Sequence, residues 1–463
     1  MAASAPSSQR EIRRHNLSRV LYAVAERGPS SRAAVAARLG LTRTAVSTLV
    51  DELLRGGLLT EQGPTPPDGG PGRPGTALAL TDSGPCGLGA EIGVDHLAVC
   101  AVDLRGRVRV REDVESEGRS SEPGVVLDRL RGLVDTVAAQ AREHGLSPAA
   151  LTVAVPGLIS RGTSSVVRAP NLGWRDIDIA PALARAGASS RPASGSWAAS
   201  SSQAGTGRQP GTGTRPGPGQ GQGPEQEAGS SPLPLIVDNE ANLAALAELW
   251  LDSGRVPRDF VHVSAEVGIG AAIVLDGELL RGTRGFAGEI GHVPVRPDGP
   301  PCACGGKGCL EQYAGEWALL RAAGVPVEGT RDATLAALRE RAAAGDERAL
   351  RALREAGTAL GLALAGTVNL LDPGALVLGG VLARFAPWLL PSLERELAER
   401  TAAPGAPPDL VVSGLGADGP LLGAAHAAVR VVLDDPLSYR TEAAPGGSPP
   451  VRGSAPARGG AGS

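Results

Sequence analysis

The sequence lacks two features that would associate the protein with a membrane. No run of about twenty apolar residues occurs in the 463 residues, so no membrane span is predicted. The first residues carry no apolar core of the kind found in secretory signals, so we expect no export. Only five cysteines are present, and three of them fall within residues 302–309. This distribution is typical of a reducing compartment and not of a disulfide scaffold, so we expect a cytoplasmic protein.

Lysine is scarcer still, because Lys307 is the single lysine of the chain. Arginine therefore carries almost all of the positive charge. Residues 1–80 contain ten arginines and six acidic residues, a net charge of +4, while the whole chain has a net charge of −4, which leaves −8 for the remainder. A basic module joined to an acidic body indicates that the first part meets a polyanion. The length suggests about three domains.

Three cysteines and one histidine form the motif around which the acidic body is organised. Cys302, Cys304 and Cys309 follow His292, which lies ten positions before the first of them. This set has the composition of a closed tetrahedral Zn²⁺ site. The glycines between Cys304 and Cys309 allow a short loop to fold around the metal. A cluster of buried cysteines or a redox pair is the alternative.

Two acidic residues flank the predicted metal site. Glu289 lies three positions before His292, and Glu311 lies two positions after Cys309. A filled zinc site would hold both carboxylates rigidly, and two acids with a histidine can accept hydrogen bonds from a polyol. The alternative role for both acids is support of the zinc loop.

These motifs resemble the signature of the ROK family, which contains sugar kinases and sugar-responsive repressors. The matching runs are Glu289-Ile290-Gly291-His292 and Cys302-Ala303-Cys304-Gly305-Gly306-Lys307-Gly308-Cys309-Leu310-Glu311. The resemblance implies that His292 both binds the zinc and lies next to the sugar. It implies a sugar-binding set consisting of Asn239, Glu240, Glu289, His292 and Glu311. Asn171 also matches a family motif near the cleft, although it could simply cap a turn.

The N-terminal module, residues 9–82, reads as a winged helix-turn-helix. Apolar residues at helical spacing predict a helix over 10–27. Ser31 can cap a second helix that ends at Gly40, and Thr42 can cap a third that runs to about Arg55. The strand beginning near Leu58 would start the wing. A generic three-helix bundle used for protein contacts is the alternative.

The third helix of such a module enters the major groove of DNA, with its first turns at the base edges. We therefore expect operator DNA as the partner. Arg73 lies where the wing tip should be and would reach phosphate or the minor groove. The predicted DNA contacts are Arg43, Thr44, Ser47, Thr48 and Arg73. The ROK repressors carry such a module, whereas the ROK kinases do not.

Residues 87–438 read as an α/β body, because strands alternate with helices. The resemblance implies the two-lobed actin-like fold of sugar kinases, which is ribonuclease H-like, with a ligand cleft between the lobes. Residues 184–232 interrupt it. This stretch contains no Val, Ile, Leu or Phe, and Trp197 is its only large apolar side chain, so we predict a disordered low-complexity insertion. Residues 441–463 read as a disordered tail for the same reason.

The phosphate-binding loops depart from the kinase pattern. The first kinase loop reads Asp-x-Gly-Gly-Thr, but here Val94 and Asp95 replace the last two residues. The second reads Gly-Thr-Gly-x-Gly, but here Glu266 and Val267 replace its first two. Glu240 stands at the position of the catalytic aspartate, one methylene longer. The added acids would repel a triphosphate, so we expect no kinase activity and no catalytic residue.

Taken together, the sequence predicts a sugar-responsive transcriptional regulator of the ROK family, most simply a repressor. Its expected effector is a sugar or sugar phosphate, and its expected assembly is a homodimer or homotetramer, since paired half-sites match two-fold symmetry. One alternative is an active sugar kinase with an appended DNA-binding module. Another is a regulator controlled by a protein partner or by zinc itself.

Overall fold

The computed structural model describes most of the chain in two compact units. The described residues are 8–26, 28–65, 75–116, 121–187, 232–251, 255–402, 405 and 407–439. Residues up to 84, together with 432–439, form the first unit, and residues 85–431 form the second. Across these ranges, no helix combines the length and the apolar character needed to cross a membrane. Arg73, the predicted tail and residues 188–231 of the predicted insertion lie outside the described residues.

The first unit is a three-helix module with a small sheet. Its elements are α1 (Gln9–Ala25), β1 (Ser30–Ser31), α2 (Arg32–Leu39), α3 (Arg43–Arg55), β2 (Leu59–Thr65) and β3 (Gly75–Leu80). The strands are ordered β1-β3-β2, and β2 and β3 pair as an antiparallel hairpin. This arrangement confirms the predicted winged helix-turn-helix.

Side-chain caps explain where the helices of this unit begin. The Ser31 hydroxyl accepts from the backbone amide of Ala34 at 3.2 Å, and the Thr42 hydroxyl accepts from that of Ala45 at 3.2 Å. Gly40 ends α2 at φ +65, a left-handed conformation that glycine adopts without strain. The Arg19 guanidinium donates to the carbonyl of Leu39 at 2.9 Å and so braces the turn between α2 and α3.

The first lobe of the second unit is built on a five-stranded sheet in the order β11-β7-β4-β5-β6. Strand β11 runs parallel to β7, and β5 is antiparallel to both of its neighbours. A smaller sheet, β10-β9-β8, belongs to the same lobe. Its elements are β4 (Gly84–Ile92), β5 (His96–Asp103), β6 (Val108–Glu115), α4 (Pro123–Glu143), β7 (Leu146–Val155), β8 (Leu158–Ile159), β9 (Ser165–Ala169), β10 (Trp174–Asp178), α5 (Ala180–Leu183) and β11 (Leu235–Asn239).

The second lobe has a sheet in the order β14-β13-β12-β15-β16 and most of the helices. Its described elements are α6 (Glu240–Leu251), β12 (Phe260–Ala265), β13 (Ile269–Leu275), β14 (Glu278–Leu279), a 3₁₀ turn (Ile290–His292), α7 (Glu311–Ala314), α8 (Glu316–Ala323), α9 (Arg331–Ala343), α10 (Glu347–Leu371), β15 (Ala375–Gly379), α11 (Gly380–Arg384), α12 (Ala386–Arg400), β16 (Asp409–Val412), a second 3₁₀ turn (Gly416–Asp418) and α13 (Gly419–Asp434).

Helix α13 packs closely against β4 of the first lobe and against α6. A Cβ at Gly89 would lie 2.5 Å from the amide nitrogen of Ala425, and one at Gly423 would lie 1.9 Å from the carbonyl oxygen of Leu243. Only glycine permits this approach of backbone to backbone. Each lobe has its own buried apolar core. The predicted two-lobed α/β body is therefore confirmed.

Candidate functional site

The predicted metal ligands converge at the edge of the second lobe. His292 ends the 3₁₀ turn after β14, and the loop that carries the three cysteines follows it and leads into α7. Two isolated β-bridges, Pro294 with Cys309 and Pro301 with Lys307, close this loop on itself. The amide of Cys302 also donates to the carbonyl of Gly306 at 2.9 Å. Backbone hydrogen bonds within residues 292–309 thus bring the four ligands to one point.

The distances between these ligands fit a tetrahedral metal ion. One ligand atom from each of His292, Cys302, Cys304 and Cys309 lies within 4.8 Å of all the others. The Sγ atoms of Cys304 and Cys309 are 3.7 Å apart, and Cys302 Sγ lies 3.8 Å from His292 Nδ1. A tetrahedron with Zn–S bonds of about 2.3 Å has S–S edges of about 3.8 Å. A disulfide would need about 2.05 Å, so these two sulfurs are not bonded to each other, and their spacing is compatible with a shared metal ion.

Glu289, Glu311 and Asn171 border the metal cluster. Glu289 Oε2 lies 3.8 Å from His292 Nε2, on the ring edge away from the cysteines, and Glu311 Oε1 lies 3.9 Å from Cys302 Sγ. A Cβ at Gly268 would lie 2.4 Å from Glu311 Oε2 and 3.2 Å from Asn171 Nδ2. Glycine at 268 therefore makes room for the carboxylate and the amide to meet. Burial raises the pKa of Glu289, and the charge of Glu311 adds to the rise.

Asn239 and Glu240 stand where β11 turns into α6. The Asn239 amide donates to the carbonyl of Gly157 at 2.9 Å, and its oxygen accepts from the amide of Ala241 at 2.8 Å. Glu240 is the first residue of the helix. Burial, followed by the charges of Glu266 and Glu91, raises its pKa to about 8. The structure therefore groups Glu240 with the acids of the altered phosphate loops.

The first altered loop is covered by a histidine that the sequence motifs did not point to. His96 Nδ1 lies 2.9 Å from Asp95 Oδ1, and its Nε2 lies 3.7 Å from Glu91 Oε1. These two acids raise the pKa of His96 to about 10. A Cβ at Gly93 would lie 2.3 Å from the imidazole, so the ring lies directly over the glycine backbone. The sequence alone assigned His96 no role, since a lone histidine carries no spacing signal.

The second altered loop is filled by an ion-pair network. Arg331, at the start of α9, contacts Glu266 Oε2 at 2.5 Å and Glu316 Oε2 at 2.6 Å. Glu316 is buried, and Glu266 and Arg331 are mostly buried. A Cβ at Gly380 would lie 2.8 Å from Glu266 Oε1, so the carboxylate also rests on the glycine turn after β15. Arg331 and Glu316 lie more than 45 residues beyond the loop, and the sequence reading missed both.

The predicted DNA contacts that the structure describes lie on the first turns of α3. Arg43, Thr44 and Thr48 are exposed, and Ser47 is half-buried. The Thr48 hydroxyl donates to the carbonyl of Thr44 at 3.1 Å. The other face of α3 packs into the module through Val46, Leu49, Val50 and Leu53. The open face therefore presents one guanidinium and three hydroxyls, a set that can hydrogen-bond to DNA.

Two family models match different parts of the chain. The model of the ROK family matches residues 87–188 and 229–430, and the model of the MarR family matches residues 18–69. The first covers the two-lobed body, and the second covers most of the helical module.

The chain is similar to repressors over nearly its whole length and to kinases over about three quarters of it. The xylose repressor of Bacillus subtilis is 26% identical over 429 residues, which cover 92% of this chain and 98% of the repressor. A glucokinase of Streptomyces coelicolor is 27% identical over 361 residues, 74% of this chain and 96% of the kinase. The crystal structure of a ROK family transcriptional regulator, a homolog of the E. coli MLC protein, superposes with a TM-score of 0.68 at 24% identity, over 93% of this chain and 98% of that one. The last likeness is one of fold.

Proposed function

The chain belongs to the ROK family, as its signature residues predicted, and we propose that it is a sugar-responsive transcriptional repressor. The observation that carries this proposal is the combination of a winged helix-turn-helix with a ROK body on one chain. The xylose repressors share that combination over nearly their full length, whereas the glucokinase aligns with only three quarters of this chain. The winged helix, residues 9–82, would bind operator DNA.

Arg43, Thr44, Ser47 and Thr48 are the proposed reading residues on α3, and Arg73 is the proposed wing contact. A guanidinium at a helix N-terminus can donate to guanine in the major groove, and the threonine side chains can contact either base edges or thymine methyl groups. The arginine excess of residues 1–80 would add sequence-independent attraction to phosphate. Affinity for DNA is therefore expected to fall as the salt concentration rises.

The proposed effector is a neutral sugar or a sugar phosphate bound beside the metal cluster. Glu289, Glu311 and His292 offer acceptors and a ring nitrogen at one edge of the cleft, and Asn239 and Glu240 would form the opposite wall. With a pKa near 8, Glu240 is mostly protonated at neutral pH and would donate a hydrogen bond to a sugar oxygen. Xylose is the first sugar to test, because several of the related repressors are named after it.

We further propose that the body does not use ATP. Phosphate binding requires backbone amides that the triphosphate can reach. The His96 imidazole lies over Gly93, and the Glu266 carboxylate rests on Gly380. In addition, four acids, Glu91, Asp95, Glu266 and Glu316, outnumber the two cations, His96 and Arg331, that contact them. Both sterics and charge therefore oppose a nucleotide.

The proposed metal is Zn²⁺, held by His292, Cys302, Cys304 and Cys309. Three sulfur ligands and one imidazole at tetrahedral spacing support zinc over the oxygen-seeking cations. The ion would have a structural role, fixing the orientation of His292 towards the sugar. Sugar binding would favour one arrangement of the lobes in a homodimer or homotetramer and so change the spacing of its DNA-binding modules.

Titration of sugars against DNA binding tests the proposal. Genomic fragments that the zinc-loaded protein retains are first selected, and fluorescence anisotropy then measures affinity for the enriched site. We expect xylose, or another member of a panel of glucose, mannose, fructose, N-acetylglucosamine and their phosphates, to change this affinity about tenfold. Arg43→Ala should weaken DNA binding, whereas Arg55→Ala at the far end of α3 serves as the matched control. An affinity that no sugar alters would contradict the proposal.

The kinase alternative has its own test. Glu240 retains a carboxylate at the base position, and a glucokinase is among the relatives, so turnover must be measured directly. A coupled assay with ATP and the same sugars is expected to give no product above background. Sustained turnover would overturn the non-enzymatic assignment.

A further inference from the structure

A buried carboxylate joins the two walls of the proposed sugar site. Asp238 is the penultimate residue of β11, directly before Asn239, and it is 5% exposed. Its Oδ1 accepts from the amide of Asn239 at 2.8 Å and from Asn242 Nδ2 at 2.8 Å. Its Oδ2 lies 2.6 Å from Arg281 Nη1. Both oxygens are therefore used, one for the residues that begin α6 and one for a side chain of the other lobe.

Arg281 stands at the start of the segment that carries the other wall. It follows β14, and the chain runs from it to Glu289 and His292 within eleven residues. The Arg281 carbonyl accepts from the amide of Ala287 at 3.2 Å, which closes this segment into a compact loop. The loop also packs closely on β13, because a Cβ at Gly288 would lie 2.2 Å from the carbonyl oxygen of Ala271. Arg281 and Glu289 therefore belong to one compact loop that packs against β13.

Asn239, on the other wall of the proposed site, is also held by hydrogen bonds. The Asn239 side chain donates to the carbonyl of Gly157, and its oxygen caps α6. Its backbone amide donates to Asp238, which adds a third constraint. Removal of the guanidinium would leave a nearly fully buried carboxylate with backbone and amide donors only, a state that buried charges avoid. The strand end would then have to rearrange or take up a proton.

We propose that Asp238 and Arg281 are a positioning pair that fixes the distance between the Asn239–Glu240 wall and the Glu289–His292 wall of the ligand cleft. Neither side chain needs to touch the sugar. The pair acts through the residues that do, and the inference rests on the proposed sugar site. Its consequence is specific: loss of the pair weakens sugar binding and the sugar-dependent change in DNA affinity, while zinc content and sugar-free DNA binding are retained.

The test compares Arg281→Gln, Asp238→Asn and the double variant with wild type in the full-length, zinc-loaded protein. Calorimetric titration with xylose, glucose, mannose, fructose, N-acetylglucosamine and their phosphates measures sugar affinity. We expect each single variant to bind the responsive sugar about tenfold more weakly, and the double variant to be little worse than either, because the two residues act as one unit. Arg281→Lys, which keeps the charge, should recover part of the loss.

Arg284→Gln is the matched control, since it makes the same change three residues along the same loop, where the guanidinium lies over the ring of Phe286. One zinc per chain and unchanged sugar-free DNA affinity exclude general unfolding as the cause. Sugar affinity that stays at the wild-type value in Arg281→Gln, with only thermal stability lowered, would overturn the positioning role alone. Wild-type protein that binds no sugar of the panel would refute the proposed function and this inference with it.

Discussion

The two ends of the proposed ligand cleft differ in how far they keep the ROK signature. At the metal end, the ligands and the acids beside them keep the ROK signature, and backbone bridges bring the cysteines to tetrahedral spacing. At the phosphate end, side chains lie against the glycine backbone of both loops, and ion pairs hold the acids there. We therefore propose that one end holds a small polar ligand, while side chains close the other to nucleotide. On this proposal, ligand recognition and phosphate chemistry are separated within a single cleft.

Loss of the metal should have the largest effect. Cys309→Ser removes one thiolate from a site whose filling contributes on the order of 10 kcal/mol to folding of a small metal domain. We expect loss of bound zinc, a lower midpoint of thermal unfolding and loss of the sugar response. Zinc content by elemental analysis and a thermal scan measure the first two.

Lys307→Ala lies in the same loop and is exposed, and it provides the control. It should bind one zinc per chain and unfold like wild type. If Cys309→Ser kept a full equivalent of zinc, the metal assignment would be wrong.

Breaking the ion pairs at the phosphate end should have the next largest effect. Arg331→Met leaves the buried Glu316 and the mostly buried Glu266 without their shared cation, which should lower the free energy of unfolding by about 3 kcal/mol. Adding Glu266→Gln should restore part of this loss, because one uncompensated charge is then removed. Denaturant unfolding of the two variants provides the measurement.

Zinc content is the control for this prediction. Arg331→Met and the double variant with Glu266→Gln should both keep one zinc per chain. A change of less than about 0.5 kcal/mol for Arg331→Met would mean that solvent, and not Arg331, compensates the acids. The two ends of the cleft would then differ in shape but not in internal stabilisation.

The metal end could be predicted from sequence because its ligands are local. Cys302, Cys304 and Cys309 lie within eight residues, and glycines mark the loop. At the phosphate end, only the departure from the kinase loop pattern could be predicted. Glu266 was recognised as an added acid, but its partner Arg331 lies 65 residues further on, and no spacing rule connects them. His96 was missed because its meaning depends on a tight turn that folds it over Gly93.

The fold shows the same difference between local signals, which could be predicted, and contacts between distant residues, which could not. The capped helices α2 and α3 were predicted to within a residue or two, since Ser31, Thr42 and Gly40 are local signals. Strand β6 was not predicted, because it alternates charged residues and buries only Val110. Helix α12 was not predicted either. Its interior proline, Pro391, weakens the helical signal, and tertiary packing of its apolar face overrides it.

The smallest predicted effect concerns the proton on Glu240. In the unfolded chain this acid titrates near 4.5, whereas in the folded protein its pKa is about 8. Between these values the folded state holds a proton that the unfolded state has released, so the stability that the protonated acid contributes is complete below about pH 4.5 and is lost as the pH rises through about 8.

Glu240→Gln keeps the shape of the side chain and cannot ionise. We expect the variant and wild type to be similarly stable below about pH 4.5, and the variant to become increasingly more stable than wild type as the pH rises to 8.5. Chemical denaturation at several pH values measures the difference. A gap of the same size at every pH would show that Glu240 does not retain its proton, and the phosphate end would then still hold a carboxylate base like that of the kinases.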